Sequence, residues 1–287
     1  MNRRRFLAIT AASLMPHGAR ASVWRGTALG ADVSITLQGQ GADAALADVR
    51  QLLRGIEGLF SLYKPSSALC RLNASGRAMT PAPAFLRLMA ICGDIVRRTN
   101  GCFDPTVQPL WQALATGGDI IAARNLIGWD RVAITADVIR LAEGQALTFN
   151  GIAQGFATDL VAERLATFGF KRALVNIGEY RALGGPWSLS IDDPRFGALA
   201  QLSLDGNAVA TSSPAAIMVG GHPHILSRGG QPPLWSTVSV AAPSAALADG
   251  LSTAFCLMDR DAIKRVLTGT DGVALRLIDH SGNLTTL

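Results

Sequence analysis

The order of periodicities along the chain is the tightest constraint on its fold. Four short apolar runs follow one another, Ala173–Ile177, Trp187–Ile191, Ala198–Leu204 and Ala208–Thr211, separated by Gly, Pro and Asp turns. Elsewhere strands and helices mix without a strict βαβ rhythm. That pattern predicts an α+β fold, with mixed or antiparallel sheets and packed helices, rather than a doubly wound parallel sheet.

The remaining elements follow from the same reading. Ala31–Leu37 alternates as a strand, and Ala42–Phe60 places Leu46, Val49, Leu53, Ile56 and Phe60 at helical spacing. A second helix is expected over Pro83–Arg98, with Leu86, Met89, Ile91 and Ile95 inward and Asn100-Gly101 as its stop. Asp119–Ile127 reads as a short helix, the segments flanking Asp137 as a hairpin, and Ala146–Phe149 as a strand. Ile152–Phe168 is expected to bury Phe156, Leu160, Leu165 and Phe168 before Gly169 ends it. After a strand at Thr237–Ala241, Pro243 takes the first helical position of a helix reaching about Met258. A strand at Val273–Ile278, a turn and a short strand close the chain, and Gly220–Pro233, the longest irregular stretch, is a site loop or a flexible excursion.

Residues 1–21 read as a targeting leader and 22–287 as the working domain, in one body or two lobes. Two arginines, one further residue and then Phe6-Leu7 precede a short apolar run and Ala19-Arg20-Ala21, the twin-arginine pattern of export to the periplasm as a folded protein. Loss of Arg3, Arg4, Arg5 and Arg20 with the leader takes the formal charge from +5 to about +1, which removes the case for nucleic acid as a partner. No later run reaches the roughly 18 apolar residues of a membrane span, so stable membrane insertion is not expected. Cys70, Cys92, Cys102 and Cys256 have no metal-finger spacing; they read as small buried side chains, with one disulfide possible in an oxidising compartment.

Two segments carry chemistry. Phe149-Asn150-Gly151-Ile152-Ala153-Gln154-Gly155-Phe156-Ala157-Thr158-Asp159 puts glycines where a strand feeds a helix, so backbone amides can approach a phosphate. The same G-x-x-x-G spacing also serves close packing. On the late helix, Asp249 and Thr253 are four apart and share a face, a carboxylate and hydroxyl suited to Mg²⁺. The face of Asp249, Ser252 and Thr253 lies away from the stripe of Leu247, Leu251, Ala254, Phe255 and Met258 and reads by default as a solvated face, although it carries no Lys, Arg or Glu. Neither a dinucleotide-binding G-x-G-x-x-G nor a P-loop occurs. Three residues stay two-sided: Asp104 is a turn cap or a ligand contact, Tyr63 a core edge or a stacking ring, and His224 a solvated loop residue or an acid–base group.

Read together, these pieces resemble the FAD:protein FMN transferase (ApbE) family over nearly all of the chain past the leader. Gly26-Thr27 is similar to the family's strand entry, and Phe60–Pro65 with Leu69–Asn73 to its F-S-x-Y-x-P and L-S-R-L-N pieces. Gly101–Val107 resembles G-x-F-D-P-T-V, Asn150–Asp159 resembles G-I-A-K-G-Y-A-x-D, and Val175–Glu179 resembles V-N-I-G-G-E. Ala210-Thr211-Ser212 is similar to the A-T-S turn, His224-Ile225 to the histidine of H-I-x-D-P, and Ala248–Ala254 to A-D-A-L-S-T-A.

The resemblance implies the family's fold, related to the T-fold, and transfer of FMN from FAD to a Thr or Ser hydroxyl of a partner flavoprotein, releasing AMP. It implies Mg²⁺ held by Asp249, Thr253 and the Gly151 carbonyl. It further implies Tyr63 along the isoalloxazine ring, Asp104, Gln154, Gly155, Asp159, Glu179 and Thr211 framing FAD, and His224 with Asp249 as catalytic residues. The acceptor would be a subunit of a periplasmic or membrane respiratory or redox complex, and the overall style is similar to relatives that accompany nitrous-oxide-reductase maturation. The chain departs from the pattern at Gln154, where the family has lysine, at one missing glycine before Glu179, at Ser213-Pro214-Ala215 and at Ser227-Arg228. These departures leave two other readings, a non-catalytic FAD-binding assembly factor and an FAD pyrophosphatase.

Overall fold

The computed structural model describes residues 21–287, so the expected leader, Ala21 apart, lies outside the described residues. Two strands come first, β1 (Ala21–Ala28) and β2 (Ala31–Gln38), joined by Leu29 and Gly30 at φ 50° and 75°. That is the mirror-image hairpin turn whose twist matches antiparallel strands. Sequence reading missed β1, a half-exposed strand with weak alternation. The helix α1 (Ala42–Phe60) buries the expected stripe from Leu46 to Phe60. Next come α2 (Ala68–Ser75), β3 (Arg77–Met79) and α3 (Pro83–Arg98). The buried stripe of α3 is Phe85, Leu88, Met89, Cys92 and Ile95, with Leu86 and Ile91 at its half-buried margin rather than inward.

A 3-10 turn at Pro105–Val107 leads to α4 (Gln108–Thr116) and α5 (Ile120–Asn125), the latter capped by the Asp119 carboxylate. The short strands β4 (Ala133–Ile134) and β5 (Val138–Arg140) form the expected hairpin, and β5 also pairs with β3. Ala146–Phe149 is not a strand. The Asn73 side chain takes the Leu147 N–H and donates to its carbonyl, both at 2.8 Å, doing for one residue what a neighbouring strand would do.

The helix α6 (Ala153–Thr167) departs most from its expected amphipathic form. It buries Gln154, Gly155, Thr158 and Asp159 beside Phe156 and Leu165, Leu160 is only partly buried, and Phe168, expected inside, is exposed. The cause is tertiary: α1, a later helix and the central sheet all pack on it. Five strands follow: β6 (Ala173–Ile177), β7 (Tyr180–Leu183), β8 (Trp187–Asp193), β9 (Gly197–Leu204) and β10 (Ala208–Ser212). Of these, β7 was not foreseen. After the two-residue strands β11 (Met218–Val219) and β12 (His222–Pro223), β13 (Thr237–Ala242) returns to the sheet. The helix α7 (Ala245–Phe255) is capped by Ser244, so Pro243 precedes the cap instead of opening the helix. A separate helix, α8 (Arg260–Thr268), precedes β14 (Ala274–Ile278) and β15 (Leu284–Thr286).

The central sheet has eight strands in the order β1-β2-β6-β7-β10-β13-β14-β15, every neighbouring pair antiparallel. The predicted α+β class with an antiparallel sheet and packed helices holds. Strand alternation assigns the two faces: Val238, Val240 and Ala242 join the main core with the helices, while Val209, Leu174 and Ile278 pack with Trp187, Leu189 and Leu204 of the β8–β9 hairpin. Fully burying one such side chain contributes roughly 1.5–3 kcal/mol. All four cysteines are free thiols, Cys92 and Cys256 buried and the other two half-buried. Among the described residues no helix is long and apolar enough to cross a membrane.

Candidate functional site

The start of α6 is held in place by aromatic packing. The Phe60 ring meets Phe85, Phe149 and Phe156 at centroid distances of 5.3, 5.6 and 5.8 Å, which anchors the turn from Phe149 to Ile152. That turn and α6 lie directly on α7. A Cβ on Gly151 would sit 2.9 Å from Thr253 Oγ1, and one on Gly155 would overlap the Ala245 carbonyl. The two glycines therefore face α7, and close packing is their role here. The Gly155 N–H, expected to meet a phosphate, donates instead to Asp249 Oδ2 at 3.0 Å.

This crossing brings the three expected metal ligands together. Thr253 Oγ1 lies 3.4 Å from the Gly151 carbonyl oxygen, and Asp249 sits one turn earlier on α7, its carboxylate steered by Gly155. The face of Asp249 and Ser252 is not a solvated one: both are buried, while Leu247 of the apolar stripe is only half-buried. Among the described residues no three His, Cys, Asp or Glu side chains gather as a metal group. A cation at this corner would be held by one carboxylate and neutral oxygens, and that donor set fits Mg²⁺, which shares such sites with phosphate oxygens and water.

The residues expected around FAD divide into two groups. Gln154 is buried, its amide against Gly178, with Nε2 3.4 Å from the Leu29 carbonyl. The Leu29 N–H donates to Glu57 Oε1, and Glu57 Oε2 pairs with Lys64 at 2.6 Å. Lys64 is the neighbour of Tyr63, so this chain of contacts leads from Gln154 to Tyr63, a residue 68% exposed at the exit of α1. Glu179 Oε2 accepts the Thr211 N–H at 3.0 Å, and Thr211 Oγ1 donates to Ser239. Asp159 has a structural duty. Its carboxylate accepts the Ala245 and Ala246 N–H groups at 2.8 and 2.9 Å and pairs with Arg181, capping the N-terminus of α7. It bears on the corner by placing the helix that carries Asp249.

Asp104 caps the 3-10 turn, accepting the Thr106 N–H and hydroxyl at 2.8 and 2.6 Å. Burial raises its pKa, against the pull of those bonds, the Trp129 amide and the charge of Arg228. Arg228, one of the departures from the family pattern, thus places a positive charge within reach of Asp104. His224 Nδ1 lies 3.0 Å from the Pro214 carbonyl and 3.3 Å from that of Ile217. A nitrogen facing two carbonyls carries a proton, so in the neutral imidazole the lone pair lies on Nε2.

Residues absent from the predicted site connect its parts. Ser212 Oγ is 2.8 Å from Ser252 Oγ and 3.5 Å from Thr253 Oγ1. Two residues later the Pro214 carbonyl holds His224, so one short segment borders both the metal corner and the histidine. Between them, Ser213 Oγ lies 2.7 Å from Thr237 Oγ1, which donates to the buried Asp193 carboxylate at 2.7 Å. Asp193, at the end of β8, also accepts from Ser236 and from the Arg195 and Phe196 amides. The A-T-S turn was the available signal for Ser212; Asp193 carried none.

Known proteins resemble this chain over the span that holds these positions. A family model described as the ApbE family matches residues 29–277. A curated FAD:protein FMN transferase of Haemophilus influenzae is 25% identical over 272 residues, covering 82% of this chain and 78% of its own length. One from Rhodobacter capsulatus is 26% identical over 244 residues, 74% of this chain, which spans 45% of that longer protein. Among solved structures, the apo form of the flavinyl transferase ApbE of Pseudomonas stutzeri superposes with a TM-score of 0.82 at 26% identity, covering 95% of this chain and 96% of its own. The ApbE protein of Thermotoga maritima reaches 0.83 at 25% identity, covering 93% and 96%.

Proposed function

The chain belongs to the ApbE family, and from that premise we propose that it transfers FMN from FAD to a Thr or Ser hydroxyl of a partner flavoprotein, releasing AMP. The acceptor oxygen bonds to the phosphorus of the FMN half, the pyrophosphate P–O bond to AMP breaks, and the hydroxyl proton passes to His224 Nε2. Asp249, Thr253 Oγ1 and the Gly151 carbonyl would hold Mg²⁺. A cation held by these residues would supply charge neutralisation for the pyrophosphate oxygens as the P–O bond breaks. The observation that carries this reading is the α6–α7 crossing, with Thr253 Oγ1 3.4 Å from the Gly151 carbonyl beside a carboxylate fixed by Gly155.

The exposed Tyr63 ring offers a flat surface to the isoalloxazine. Gln154, Glu179, Thr211 and Asp104 frame the rest of FAD, while Gly155 acts by steering the Asp249 carboxylate and Asp159 by placing α7. The twin-arginine pattern of residues 3–7 supports work in the periplasm, on a subunit of a respiratory or redox complex. Incubation with FAD, Mg²⁺ and a co-expressed flavoprotein tests the proposal by mass spectrometry. Covalent FMN on the acceptor with matching AMP release is expected. AMP released without an acceptor would make the protein a pyrophosphatase, and FAD bound but never consumed would make it an assembly factor.

A further inference from the structure

The geometry points to Ser212, at the end of β10, as a positioning residue for the cation corner, acting with Ser252 through a directed chain of hydroxyl hydrogen bonds. The inference rests on the reading of Asp249, Thr253 and Gly151 as the cation ligands, and it deepens that reading.

Hydrogen-bond direction follows from counting protons. Each hydroxyl has one proton to donate and two lone pairs to accept with. The Ser252 hydroxyl donates to the Asp249 backbone carbonyl at 3.0 Å, so its proton is committed within α7. With the Ser252 proton on the Asp249 carbonyl, the 2.8 Å contact runs from Ser212 to Ser252, and the Ser212 proton is used there. Ser212 Oγ is left as an acceptor, and Thr253 Oγ1 lies 3.5 Å from it.

Thr253 has two places to send its own proton, the Gly151 carbonyl at 3.4 Å and Ser212 Oγ at 3.5 Å. Pointed at Gly151, the proton occupies the side on which both oxygens would face a shared cation. Pointed at Ser212, it leaves the Thr253 lone pairs and the Gly151 carbonyl turned towards the ion. The Ser212–Ser252–Asp249 chain makes the second orientation available by keeping Ser212 an acceptor. It begins on the sheet and ends on the backbone of the residue whose carboxylate is the third ligand. Outer residues that orient metal ligands typically account for about 10–100-fold in metal affinity.

The test compares Mg²⁺ binding by isothermal titration for wild type, Ser212→Ala, Ser212→Thr, Ser252→Ala and Asp249→Ala, in full-length protein loaded with FAD. FAD affinity in EDTA and the metal-free melting temperature serve as controls. Ser212→Ala should weaken Mg²⁺ about tenfold with FAD affinity in EDTA unchanged, and Ser212→Thr, which keeps the hydroxyl, should restore it. Ser252→Ala breaks the chain at its second link, frees Ser212 to donate, and should also weaken Mg²⁺; it carries the test if Ser212→Ala does not fold. Wild-type affinity in both alanine variants, alongside loss of binding in Asp249→Ala, overturns the relay and leaves the ligand reading standing. Wild-type affinity in Asp249→Ala overturns both.

Discussion

The α6–α7 corner and the loop around His224 meet at Ser212–Pro214, yet they are built in opposite ways. The corner consists of two regular helices in direct contact, with Asp249, Ser252 and Gly155 buried and hydrogen-bonded. The loop side consists of a 3-10 turn, two strands of two residues each and an exposed run from Arg228 to Pro232. In a corner of that kind one added methyl overlaps backbone. On the loop side a residue can change while the fold remains. Two of the four departures from the family pattern follow this difference: Ser213-Pro214-Ala215 and Ser227-Arg228 lie on the loop side, while Asp249, Thr253 and Gly151 remain. The contrast suits the proposed transferase, whose cation corner is fixed by helix packing while its acceptor side is built from loops.

Asp249→Ala should break the comparison most sharply. Transfer is expected to fall below detection by mass spectrometry of the acceptor, with helix content by circular dichroism retained. The orphaned Gly155 N–H should cost about 1–3 kcal/mol in stability. Surviving transfer would mean that the corner is not the reactive site. His224→Ala should slow single-turnover transfer by about 10²–10⁴-fold, the range for a lost general base, while Mg²⁺ affinity stays at the wild-type value. A joint loss of metal binding would show that the two regions are not separable.

Gln154→Lys sharpens the one departure that lies on the corner side. Restoring a charged hydrogen bond to phosphate is worth roughly 1.5–3 kcal/mol, so kcat/KM for FAD should rise about tenfold or more. An unchanged value would mean that the buried Gln154 amide, set between Leu29 and Gly178, serves packing alone.

The smallest effect is expected from two carboxylates whose pKa values move in opposite directions. Burial pushes Asp193 up, but the Thr237 and Ser236 hydroxyls and the Arg195 and Phe196 amides outweigh it and hold the group below its ordinary value. Its contribution to stability is therefore present above the ordinary carboxylate pKa and is lost as pH falls through the depressed one. Asp193→Asn should flatten the acid limb of a melting-temperature profile. Asp104 is raised by burial, so its contribution runs the other way, complete below the ordinary pKa and lost as pH rises through the raised one. Asp104→Asn should flatten the limb between those two values. Identical profiles for both variants and wild type would remove the contrast.

Much of this was legible in residue spacing. The limits of α1 and α3, the hairpin around Asp137 and the strands at Ala173 and Thr237 follow from apolar period and turn residues, because α1 and α3 each bury one stripe and the two strands are short apolar runs bounded by turns. The reading failed where several neighbours act on one element. On α6 the buried residues cover nearly the whole circumference, so an apolar stripe could not predict its orientation. Ala146–Phe149 has strand composition but finds a side chain, Asn73, where a strand would need another strand.

The candidate site divides along the same line. Sequence by itself determined the chemistry: a carboxylate and a hydroxyl four residues apart on one helix, a glycine turn, a loop histidine and the order of pieces that resembles one family. Tertiary structure alone decided their duties. It set Gly155 against α7 rather than open to a ligand, turned Asp159 to cap the helix that carries Asp249, and brought Ser212 from the sheet to Thr253. Spacing along a helix is local geometry, set by the 3.6-residue turn and readable in one dimension. Which polar group meets which depends on the crossing of elements 40 to 102 residues apart, and only packing determines that.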